Sequence, residues 1–88
     1  MKLASLIADG KMPSLEILDL EDNEIDDEGI LFLASAINNT NTPHLQDLRL
    51  GGNGIGDKGV TTLFRYFRKN SVNSIKHMVL DRAVVRGW

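Results

Sequence analysis

The chain has 88 residues, 42% hydrophobic and 25% charged, with a formal net charge of −2 and no cysteine. That length suits one small domain. The near-neutral charge gives no footprint for nucleic acid, and the lack of thiols excludes disulfides and thiolate–zinc sites.

The first segment, KLASLI at Lys2–Ile7, spaces Leu3, Leu6 and Ile7 for one face of a helix. Its apolar stretch, like every other in the chain, falls short of the ~18 residues of a membrane span. MKLASLIADGKMP also lacks the layout of a secretory signal. A cytoplasmic or otherwise intracellular location, without membrane insertion, is therefore expected.

Next comes LEILDLEDNEIDDEG, Leu15 to Gly29. Leucines 18 and 20 alternate as a strand does and share one face. Ile17, Asp19 and Glu21 fall on the other. Asn23 follows the strand, where its amide can bond backbone groups in a bend. Ile25 plugs the gap before a helix, and Asp27 is the expected N-cap. Ile30, Leu33, Ala34 and Ile37 then form a helical stripe, and NNTNTP stops it.

From Leu45 the same order of residues begins again as LQDLRLGGNGIGDKG. A shift of thirty pairs Pro13 with Pro43, Leu15 with Leu45, Leu18 with Leu48, Leu20 with Leu50, Asn23 with Asn53, Ile25 with Ile55, Asp27 with Asp57 and Gly29 with Gly59. Asp57 is the expected cap of the second helix, and Val60, Leu63, Phe64 and Phe67 are its stripe. A third copy retains Ile75, Met78, Leu80 and Val85, but Ala83 stands in the asparagine's place. KLASLI likewise lies thirty residues before FLASAI, Phe32–Ile37. The organisation is thus a partial repeat at 1–14, full repeats at 15–44 and 45–74, and a degenerate one at 75–88. About three repeats are normally needed for a stable stack, so a fragment of a longer array is expected, its ends covered by further repeats or a protein partner.

The frame LxxLxLxxNxIxDxG resembles the leucine-rich repeat, in its long, helix-containing, ribonuclease-inhibitor-like type. The resemblance covers roughly Leu3 to Val85. It implies an α/β solenoid: a short right-handed βα horseshoe segment with a parallel sheet on the concave face and helices on the convex face. It also implies a non-enzymatic scaffold or assembly subunit that binds protein through the concave face. Strand alternation puts Ile17, Asp19, Glu21, Asp47, Arg49, His77, Val79 and Asp81 there, with Asp19, Asp47 and Arg49 at the centre. A second reading is a regulator resembling the Ran GTPase-activating proteins, which share this repeat variety; no catalytic residue carries over.

Other chemistry has less behind it. Gly54, Gly56 and Gly59 satisfy G-x-G-x-x-G between a predicted strand and helix, as a dinucleotide-binding βαβ unit requires. However, LQDLRL interleaves polar residues, whereas a strand covered on both faces reads as nearly continuous apolar. The acidic run at Asp22, Glu24 and Asp26 has Asp27 and Leu33 where an EF-hand needs glycine and an acid. His44 and His77 have no second ligand at metal spacing and read as solvent-facing or packed. Arg65, Tyr66, Arg68 and Lys69 read as a solvated helix face. No cofactor or metal is expected.

Overall fold

Thirty residues of sequence become one step across a sheet. In a computed structural model, which describes residues 2–80 and 83–85 (only the backbone for the last three), the elements are α1 (Lys2–Ala8), β1 (Ile17–Asp19), α2 (Asp27–Ala36), β2 (Asp47–Arg49), α3 (Asp57–Lys69), β3 (His77–Leu80) and β4 (Ala83–Val85). β1, β2 and β3 are parallel neighbours, with Leu18 beside Leu48 beside Met78. Those three side chains are buried in one core with Ile30, Leu33, Ala34 and Ile37 of the second helix segment and Leu63 and Phe67 of the third. The opposite sheet face carries the exposed or half-buried residues. The result is a small α/β layer structure with three parallel strands.

Burial differs between the two full repeats. Leu45, Leu48 and Leu50 are fully buried, whereas Leu15 and Leu20, their counterparts one repeat earlier, are only partly covered. The second repeat has neighbours on both sides; among the described residues no strand pairs with the outer side of the first. Each buried leucine contributes about 1.5–3 kcal/mol relative to exposure, so the fuller cover of the second repeat's leucines adds to stability. α1 packs on α2 through Ala4 and Ile7, with Leu3 partly covered. Leu6, expected on that apolar face, is 40% exposed.

Two details differ from the sequence expectation. The N-cap of α2 is Asp26, not Asp27: its carboxylate accepts from the Gly29 N–H at 2.8 Å. A cap must precede the first helical residue, and helical backbone already begins at Asp27. In α3 the cap position falls to Gly56, with no side-chain bond, and Asp57 is the first helical residue. Both aspartates still place negative charge at the positive end of a helix.

The third copy also departs from the pattern. After β3 the chain doubles back, and β4 pairs antiparallel, Met78 with Val85 and Leu80 with Ala83. The sheet is therefore mixed, in the order β1-β2-β3-β4. Ala83 has no amide to clip a bend, and the β-branched Val84 and Val85 favour extended backbone. Val85 thus lies in a strand rather than plugging a strand-to-helix gap.

Candidate functional site

Parallel register sets the outward residues in rows. Ile17, Asp47 and His77 form one row, and Asp19, Arg49 and Val79 form the next. Glu21 follows β1 and is exposed like Asp19. Ile17 is an isoleucine left 58% exposed at the rim of this polar face. Asp81, also expected here, lies outside the described residues.

The centre is an ion-pair cluster. Arg49 donates to Asp47 Oδ2 from Nη2 at 2.9 Å and from Nε at 3.1 Å. His77 Nδ1 lies 3.1 Å from Asp47 Oδ1 and donates to it in the matching tautomer. The hydrogen bonds from Arg49 do most to hold Asp47 below the usual carboxylate range; partial burial opposes this, and His77 adds to it. The Arg49 guanidinium is in turn held more firmly charged by Asp47, with smaller contributions from Asp19 and Glu21.

This geometry revises the expected division of roles. Asp47 already has a hydrogen-bond partner on each oxygen, the Arg49 guanidinium on one and the His77 ring on the other, so its charge is largely offset within the face. Asp19 Oδ1 accepts from the Glu21 N–H at 3.1 Å and braces the strand end, leaving its carboxylate in solvent. The acids with charge to offer are Asp19 and Glu21. His77, read from sequence as a solvent-facing or packed histidine, is half-buried and paired with Asp47. The missed signal was the period itself, since His77 is thirty residues beyond Asp47. A shallow hollow at the strand starts, lined by Glu16, Ile17, Gln46, Asp47, Lys76 and His77, extends the face beyond the expected residues.

The other candidates stay apart from this cluster. His44 is exposed. Arg65, Arg68 and Lys69 are exposed on α3, with the Arg68 guanidinium 5.9 Å from the Phe64 ring centroid. Among the described residues no group of three histidines or acids is placed to hold a metal. Gly54 has φ +67° with open space around it, while Gly59 packs against Ile55 and Asp27. The last glycine of the G-x-G-x-x-G pattern therefore has a packing reason, shared with Gly29 against Ile25. The outward sheet face is solvated, unlike that of a doubly wound sheet.

The bends are joined by asparagine. Asn53 Oδ1 accepts from Asn23 N at 2.8 Å and Ile25 N at 3.0 Å, while its Nδ2 donates to Leu20 O and Leu50 O, each at 2.9 Å. One side chain thus ties two repeats together at the edge of the outward face.

A family model described as Leucine Rich repeat matches residues 11–34 and again 41–64, more than half of the chain, at the same thirty-residue offset. No curated protein and no solved structure matches the chain.

Proposed function

The chain belongs to the leucine-rich repeat family, and on that premise we propose that it is a protein-interaction scaffold or assembly module that binds through its outward sheet face. Leucine-rich repeats generally mediate protein–protein interaction and are generally not enzymes. In this reading the strands form the concave side of a short solenoid of the long, helix-containing type, and the module acts inside the cell on a protein partner without catalysis. No helix of the described residues is long and apolar enough to cross a membrane.

The observation that carries the reading is the cluster of Arg49, Asp47 and His77 beside solvated Asp19 and Glu21. A pre-ordered charge pattern on rigid strands gives a partner fixed points to match, which favours specificity and association rate over raw affinity. Ile17 supplies an apolar contact at its rim. The complementary partner surface is basic or mixed in charge, with an apolar group for Ile17.

Affinity capture with the full chain and with the triple variant Asp19→Ala, Asp47→Ala, Arg49→Ala tests this. The variant should fold, by circular dichroism, yet lose the partners held by the parent. Equal capture by both would place binding elsewhere. Stimulation of GTP hydrolysis by small GTPases would instead support the regulator reading, and a saturable thermal shift with a nicotinamide or flavin dinucleotide the remaining one.

A further inference from the structure

The asparagine that joins the two bends is also the one whose sequence context favours a change of its own chemistry. Of the chain's asparagines, only Asn53 is followed by glycine. Gly54 has φ +67° with open space around it, and Glu24, at the same place one repeat earlier, has φ +54°. Both repeats therefore need a left-handed residue here, which glycine adopts without the steric cost that Glu24 carries. The same lack of a side chain leaves the Gly54 backbone nitrogen unshielded wherever the chain is free to move.

In the folded chain the Asn53 amide is held from both sides. Its Oδ1 accepts from Asn23 N at 2.8 Å and Ile25 N at 3.0 Å, and its Nδ2 donates to Leu20 O, Leu50 O and Gly51 O. Asn23, Ile25 and Leu20 belong to the preceding repeat, and Leu50 and Gly51 precede Asn53 in its own. The side chain is thus drawn back from Gly54, whereas cyclisation needs it to fold forward until Cγ meets the Gly54 nitrogen. We propose that Asn53 is a deamidation site shielded by the fold, whose conversion marks chains that have unfolded and removes the clip between the two full repeats.

In the unfolded chain the deprotonated Gly54 nitrogen attacks Asn53 Cγ. The new N–C bond closes a five-membered succinimide, the Cγ–Nδ2 bond breaks, and Nδ2 leaves as ammonia. Water then opens the ring at either carbonyl, giving aspartate or, with the main chain rerouted through Cγ, isoaspartate. Neither product keeps the amide donor. Aspartate would set a carboxylate oxygen against the carbonyls of Leu20, Leu50 and Gly51, and an acceptor facing acceptors costs more than a lost bond. Isoaspartate lengthens the bend by one backbone atom, so it too cannot rebuild the clip. The change is one-way, and it does not depend on what the outward face binds.

The full chain is incubated at mildly alkaline pH with and without urea, then digested with trypsin, and mass spectrometry of the fragment of residues 50–58 reads the conversion. In urea, Asn53 should react ahead of Asn70 and Asn73, which precede serine. Without urea the reaction should be slower by about tenfold or more, because it tracks the population of the open form. Gly54→Glu, which restores the first repeat's residue, should slow the conversion in urea several-fold. A chain deamidated in urea should, on removal of the urea, melt below the parent or fail to fold, and Asn53→Asp should do the same. Equal rates with and without urea would overturn the shielding. Asn70 or Asn73 reacting first, or Gly54→Glu converting as fast as the parent, would overturn the site. A converted chain that melts with the parent would overturn the loss of the clip.

Discussion

At the scale of single residues, the strongest constraints come from what surrounds two side chains and one glycine. Asp47 has its folded pKa depressed by Arg49, so the pair's contribution to stability is complete above the ordinary carboxylate range. It is lost as pH falls through the depressed value. Asp47→Asn should therefore lower the melting temperature at pH 7, and the gap from the parent should close as the pH falls below about 4. A gap independent of pH would mean that Asp47 acts by packing rather than charge. Gly59 leaves no room for a methyl group: a Cβ would lie 2.7 Å from Ile55 Cγ2 and 2.8 Å from Asp27 Oδ1. Gly59→Ala gains at most about 1 kcal/mol of helix propensity, whereas crowding a packed site costs about 1–3 kcal/mol. Net destabilisation in urea is expected, partly reversed by Ile55→Leu, which removes the branch in the way. Independent, additive effects of the two substitutions would contradict this contact.

Within the elements, the start of α2 is decided by a hydrogen bond that composition does not reveal. Two aspartates stand side by side, and only Asp26 reaches the Gly29 N–H. Asp26→Ala should cost about 1 kcal/mol, and Asp27→Ala about 0.3–0.5 kcal/mol through the loss of charge near the helix end. Urea midpoints of the two variants give the order, and the reverse order would return the cap to Asp27. The end of the same helix is also closed by side chains. Asn41 Nδ2 donates to Ala36 O at 2.9 Å, and Asn38 Oδ1 accepts from Thr40 N and Asn41 N. The polar run NNTNTP therefore acts as a specific stop, and Thr42 is buried within it, donating from Oγ1 to Asn38 O at 3.0 Å.

Across the whole molecule, the two ends of the sheet differ. On the β3 side, the antiparallel β4 covers an edge that would otherwise offer its backbone to another chain. Removing the residues after Leu80 should expose that edge, lower the melting temperature and produce concentration-dependent association in sedimentation velocity. A truncated chain that stays monomeric at the highest concentration would show that β4 has no protective role. On the β1 side no strand among the described residues pairs with the edge, and the partial cover of Leu15 and Leu20 there reflects it.

The thirty-residue period, the faces of the strands, the stripe of α2 and the plugging role of Ile25 and Ile55 were legible in the sequence, because each depends on spacing along one chain and on where apolar side chains recur. The outward residues Ile17, Asp19, Glu21, Asp47, Arg49, His77 and Val79 were legible for the same reason: alternation alone assigns a face. Only the tertiary structure decided which of them touch. The pairing of His77 with Asp47, the neutralising of Asp47 by Arg49, the Asn53 clip and the turn of β4 back onto β3 all depend on distances between repeats. A linear pattern determines direction and face, but the balance of charge and hydrogen bonding at a surface is set by neighbours that stacking brings within about 3 Å.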